Sequence, residues 1–210
     1  SDNNNSQFES TLLEAVETDD KQQVDKIVES ISNQEALRQA SLMSSENREQ
    51  LITIMEPDAA AGLIEEAPAE LAVTMIEGVD SSVAAKIMEE LQSDTQADIV
   101  QELEKDSAEA ILSSMDIEMA KDVRKLSQYN PATAGGLMEL EVFSFNGDDT
   151  VSVVLKSLIS DEENFDRYRG HHPYIVDENN RLVGVVSLHS LLRSKRSVVL
   201  SDIMTPAISV

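Results

Sequence analysis

Asp94, Asp98 and Glu102, three carboxylates at a spacing of four, are the residues whose types and arrangement could do chemistry. On a helix, positions i, i+4 and i+8 stand one above another on one face. Like charges at that spacing disfavour the helix by about 0.2–0.5 kcal/mol per pair. A bound cation, or a cation bridging to a second domain, reverses the sign of that interaction. Hard divalent cations take oxygen ligands, and the smaller ones keep part of their water shell and accept only one or two carboxylates. A sparse row of acids therefore suits them without a dense cage. The competing structural reading is that Asp94, beside Ser93 at a helix start, complements the helix dipole, and that Asp98 is an ordinary exposed acid.

Other chemistry finds less support. The three histidines are His171, His172 and His189, two of them adjacent on the approach to a strand, and no serine, histidine and acid grouping follows from their spacing. The sequence contains no Gly-x-x-x-x-Gly-Lys-Ser/Thr loop and no Gly-x-Gly-x-x-Gly pattern. A hydrolase is rejected, and the chain reads as a regulatory binding module that performs no reaction. Ser187 precedes an apolar helix, where N-capping is a sufficient structural role.

The elements that must position the acidic row come from a repeat. From Ser44 onward an aliphatic pattern recurs every twelve residues, as Leu51-Ile52-Met55, Leu63-Ile64-Ala67, Met75-Ile76-Val79, Ile87-Met88-Leu91, Ile99-Val100-Leu103 and Ile111-Leu112-Met115. Twelve residues at about 100° each rotate the apolar set by roughly 120° per unit, so one continuous helix would keep no common face. Each unit must break. Pro57, Pro68, Asp80-Ser81-Ser82 and Ser93-Asp94 supply the starts, and Ser93 with Gln96 predicts a capping box. The pattern predicts a solenoid of eight-to-nine-residue helices over residues 44–126, with Ile87, Met88, Leu91, Ile99, Val100 and Leu103 inside. Phe8 to Val16 and Val24 to Ile31 read as two amphipathic helices ahead of it, turning at Asp19-Asp20. Residues 1–7 are polar, without a period, and read as a disordered tail.

The charge is concentrated on this helical part. The 210 residues carry a net charge of −24, and residues 1–128 hold 29 acids against 9 bases. Between Glu49 and Glu104 there are 14 carboxylates and one base, Lys86. Such a surface repels phosphate backbones and anionic headgroups, which excludes nucleic acid as a partner. With 41% apolar and 3% aromatic residues the core must be aliphatic. No cysteine is present, which removes disulfides, thiolate metal sites and a cysteine nucleophile.

At the other end, Tyr174–Val176 and Leu182–Val186 are β-branched runs separated by Asp177-Glu178-Asn179-Asn180, which predicts a hairpin. A helix follows from Ser187, with Leu188, Leu191 and Leu192 as its packing stripe. Upstream lie an extended Glu141–Phe145 and a helix from Asp149 to Ile159. The Gly184-Val185-Val186-Ser187 strand end leading into an apolar helix resembles the second half of a CBS domain. In that family a Gly-aliphatic-aliphatic-Ser/Thr-x-x-Asp sequence binds adenine nucleotides, and here Ser190 stands where the aspartate would be. The resemblance leaves Ser187 and Ser190 as weak nucleotide-binding positions.

Between the two parts, Tyr129-Asn130-Pro131-Ala132-Thr133-Ala134-Gly135-Gly136-Leu137-Met138 ends helical character. A Pro-x-Thr-Ala-Gly-Gly-Leu-Met joint between an acidic helical domain and a CBS-type module resembles the cytosolic part of the MgtE magnesium transporters, and the likeness covers nearly all of residues 45–210. The fold class it implies is α+β, an all-α superhelix followed by an α/β CBS module. The domains would be a helical N domain over 8–128, a joint over 129–136, a first CBS domain over 137–200, and at 201–210 the start of a second, truncated one.

The resemblance also implies a function. The chain would be a magnesium-sensing region at the cytoplasmic face of the membrane, where Mg2+ screens acidic surfaces and favours a closed pore formed by a transmembrane domain of the same polypeptide. It implies metal ligands at Asp94 and Asp98, with Glu102 extending the row and Gly136 at the joint. A further family glutamate falls on Gly62, so Glu65 or Glu66 would have to substitute. Homodimers are expected through residues 140–200. Two alternatives stand beside this reading: an interaction scaffold, since short-helix solenoids also resemble the middle part of flagellar motor-switch proteins, and an adenine-nucleotide sensor.

Overall fold

The structure is a computed structural model that describes residues 12–138, 140, 142–160 and 172–207. The expectations for residues 1–11, Glu141, His171 and residues 208–210 fall outside it. The chain divides into two units, Ser1–Met138 and Glu139–Val210.

In the first unit, residues 12–17 are helical and nine more helices follow among the described residues: α1 Lys21–Ser30, α2 Asn33–Leu42, α3 Ser45–Ile54, α4 Pro57–Glu65, α5 Ala69–Glu77, α6 Ser81–Glu90, α7 Ser93–Glu102, α8 Lys105–Ser114 and α9 Ile117–Leu126. Each starts twelve residues after the one before. The repeat therefore begins at Lys21, two units earlier than the aliphatic pattern alone suggests. No helix of this length is stable in isolation, so packing must hold each in place. That packing runs between next-but-one neighbours. Helices α2, α4, α6 and α8 form one row, and α1, α3, α5, α7 and α9 a second, with sparser contacts linking the rows.

Of the six residues expected inside, Ile87, Met88, Leu91, Ile99 and Leu103 are buried, while Val100 is half-buried against the same core. Helix starts follow ordinary capping chemistry where the N-cap can supply it. The side chains of Asp20, Ser32, Ser44, Asp80 and Asp116 each accept a backbone N–H from the first turn. Near the start of α4 stands Pro57, whose missing N–H costs nothing there.

The predicted capping box at Ser93 is not formed. Gln92 is the N-cap of α7, and Ser93 lies buried inside its first turn. The strict helix spacing places the boundary one residue earlier, and Gln96 serves the preceding helix instead. Its Nε2 donates to Met88 O at 2.6 Å and Leu91 O at 2.8 Å, both at the end of α6. Arg48 does the same for α2, donating to Ala40 O and Met43 O at 3.1 Å each. Helix ends leave carbonyls without intrahelical partners, and in these turns a side chain of the following helix takes them.

The second unit is a four-stranded sheet in the order β1-β2-β3-β4, with β1 Ser144–Asn146, β2 Tyr174–Val176, β3 Leu182–Val185 and β4 Thr205–Pro206. β1 and β2 are parallel, joined across helix α10, Val151–Ser160, whereas β2–β3 and β3–β4 are antiparallel. The expected hairpin is present. Asn180 takes a positive φ of 58°, and Asp177 Oδ1 accepts the N–H groups of Asn179 and Arg181 at 2.8 and 2.9 Å. β4 lies on the sheet of this module, so Thr205–Pro206, placed by sequence at the opening of a second module, serves here as an edge strand of the first.

The expected stripe on the last helix is corrected. In α11, Leu188–Arg193, Leu191 is buried, but Leu188 is 51% and Leu192 70% exposed. A six-residue helix offers the sheet too little length to bury three side chains, and Leu188 and Leu192, one turn apart, share the outer face.

Candidate cation site on the seventh helix

Helix α7 carries the acidic row through the middle of the repeat. Asp94 is half-buried in its first turn, where Oδ1 accepts the Thr95 N–H at 2.7 Å, and Asp98 and Glu102 reach solvent below it. The surrounding packing partly desolvates the Asp98 carboxylate and pushes its pKa up, and the charges of Asp94 and Glu102 push it further the same way. The two ends of the row differ in origin. Asp94 occupies the second helical position, which also carries Glu46, Asp58, Glu70, Asp106 and Glu118 in other units, so the repeat itself places an acid near the positive helix end. The position of Asp98, the sixth of each helix, holds Lys26, Arg38, Gln50, Gly62, Thr74, Lys86 or Ala110 in other units and an acid again in α9, as Asp122. The repeat does not place an acid there regularly.

Asp98 and Glu102 line a cavity of about 590 Å³, together with Glu65 and Glu70. Its aliphatic lining comes from Ile64, Ala67, Ala69, Ala72, Val73 and Ile99, and Pro131 of the joint lines it too. Sequence reasoning missed Glu70 and Pro131, because neither shares a local spacing with α7. Glu65, expected as a substitute ligand, is already engaged in the fold, since its Oε1 accepts the backbone N–H of Gln92, the N-cap of α7, at 3.2 Å. Glu89 likewise accepts from Asp116, the N-cap of α9, at 2.6 Å. Glu66 is exposed at the end of α4 and is not among the cavity residues.

Gly136 sits in the folded-back joint. Its N–H donates to Thr133 O at 3.0 Å, Thr133 Oγ1 donates to Asn130 O at 2.7 Å, and the Ala132 N–H donates to Asn130 Oδ1 at 2.8 Å. A Cβ at Gly136 would collide with Asn130 O and lie 2.7 Å from Pro131 Cα. Only glycine permits that close approach. The joint also rests on α7, whose Gln101 Nε2 donates to Tyr129 O at 3.3 Å.

Among the described residues no group of three or more histidines or acids converges as a metal cage. The donor set fits an ion that keeps most of its water and takes one or two carboxylates, which is the habit of Mg2+. In the second unit, the Ser187 and Ser190 hydroxyls stand 2.9 Å apart, and Ser187 Oγ accepts the Ser190 N–H at 3.1 Å. Both of these weak nucleotide positions are engaged in capping α11.

A twelve-residue helical repeat bearing an acidic row, joined by a glycine loop to a small β-α-β-β-α module, defines a two-domain architecture. The chain belongs to the MgtE family, since residues 34–132 match the MgtE intracellular N domain and residues 134–197 a CBS domain. A magnesium transporter MgtE of Enterococcus faecalis (strain ATCC 700802 / V583) is 30% identical over 87 residues, which is 41% of this chain and 19% of that protein. The match thus spans about a fifth of the relative's length. The crystal structure of the soluble part of a magnesium transporter superposes with a TM-score of 0.85 at 22% identity, covering 98% of this chain and 80% of that one. The cytosolic domain of the Mg2+ channel MgtE in complex with ATP superposes at 0.82 with 25% identity, covering 96% and 82%. No helix among the described residues is long and apolar enough to cross a membrane.

Proposed function

We propose that the chain is the cytosolic magnesium-sensing region of an MgtE-type transporter, attached in the full protein to a membrane pore that Mg2+ binding favours closed. The observation that carries this reading is Asp98, a carboxylate partly desolvated and flanked by Asp94 and Glu102 in a stretch with a single base. Asp94 and Asp98 would take the ion directly or through its water, and Glu102 would strengthen the local field. Glu65 can join only at the expense of its bond to Gln92. The family match favours this reading over an interaction scaffold.

The test uses protein that includes the membrane part. Converting Asp94 and Asp98 to Ala should raise the Mg2+ concentration needed to protect the joint near Pro131 from protease by tenfold or more. An unchanged midpoint rejects both residues as sensors. The reading also includes self-association through the CBS module, supported by the exposed Leu188 and Leu192. Sedimentation should then give a dimer that Leu188→Ser with Leu192→Ser dissociates. A monomer at high concentration sinks that part.

A further inference from the structure

We infer that the cavity between α5, α7 and the joint binds a linear aliphatic polyamine, with its methylenes on the apolar lining and its ammonium groups on the surrounding carboxylates. The volume, about 590 Å³, falls in the range of small-ligand sites. The apolar lining of Ala67, Ala69, Ala72, Val73 and Ile99 offers nothing to a hydrated metal ion but matches a hydrocarbon chain. Around it stand Glu65, Glu70, Asp98 and Glu102, and among the described residues no lysine, arginine or histidine lines the space. These acids come from α4, α5 and α7, and no three of them converge on one point. Spread charge of that kind suits a cation whose charges are themselves spread along a chain. Asp98 and Glu102, one helical turn apart, are separated by a span comparable to a four-carbon spacer between two amines.

Polyamine binding at this cavity does not depend on magnesium sensing, and magnesium is left out of the experiment. Spermidine is titrated calorimetrically into the 210-residue chain at fixed ionic strength, with butylamine as the single-charge comparison. Saturable binding at one site is expected, at least tenfold tighter than butylamine. Asp98→Asn with Glu102→Gln should weaken it tenfold or more, and so should Ala69→Arg, which places a competing cation at an exposed lining position without touching the core. Asp106→Asn with Asp122→Asn, two exposed acids outside the cavity, removes equal charge and should leave the affinity within twofold. Absence of saturation, equal affinity for butylamine, or equal losses in the cavity and control pairs would each overturn the assignment.

Discussion

Replacing Ile99 with Ala should lower the unfolding free energy of the helical unit by about 2–4 kcal/mol, the usual cost of deleting a buried aliphatic side chain. Ile99 is 3% exposed and belongs to the continuous core that joins α1 through α9. One face of it also lines the cavity beneath Asp98, so the hole left behind opens onto existing space and can admit water. The loss should therefore fall in the lower part of that range. Urea unfolding should show a reduced midpoint with an unchanged slope. A loss below about 1 kcal/mol would mean that the core at α7 is not packed as described.

The second large effect is expected at Gln96. Gln96→Leu preserves bulk but removes the amide that holds Met88 O and Leu91 O at the end of α6. Gln96 is 3% exposed, so water cannot replace it without entering the core. Leaving buried carbonyls under-satisfied costs about 1–3 kcal/mol. Met88 O keeps the Leu91 N–H, which places the expectation near the middle of that range, at about 2 kcal/mol. Hydrogen exchange adds a local reading, because amides of the α6–α7 turn should lose protection before those of α2. Unchanged stability would show that the amide is dispensable and that the turn is held by its backbone alone.

Gln96 also marks where sequence reasoning reached its limit. The twelve-residue period was legible because paired aliphatics at the seventh and eighth helical positions are hard to produce otherwise. It was lost ahead of residue 44 because α2 carries Gln39-Ala40 there, a buried amide and a small side chain in place of a bulky pair. The Ser93-to-Gln96 spacing suggested a local cap, but a local spacing cannot reveal that a glutamine will reach back to the preceding helix. For the same reason Leu188 and Leu192 read as core when the short helix has room to bury only Leu191.

The site was legible only in part. Asp94, Asp98 and Glu102 declared themselves by spacing within one helix. Glu65 and Glu70 reach the cavity lined by Asp98 and Glu102, though not by Asp94, from α4 and α5, and that convergence depends on the next-but-one stacking of helices rather than on any interval in the chain. Sequence also could not separate Asp94, an acid that most units carry at that place, from Asp98, whose position is acidic in one other of these helices, α9. Equivalent positions in the units emerge only once the helix boundaries are fixed.

The two rows of helices have a consequence for how such a domain can change in length. Glu65 and Glu89, whose carboxylates hold the N-caps of α7 and α9, are separated by two units, and both links run from an even-numbered helix to an odd-numbered one. Loss or gain of a single helix would exchange the rows for everything downstream, setting each of these carboxylates against the wrong terminus and turning charged faces toward different neighbours. Loss or gain of two helices would leave every downstream face in register. The heritable building block of this domain is therefore the helix pair, and duplications or deletions that preserve folding should come in steps of twenty-four residues.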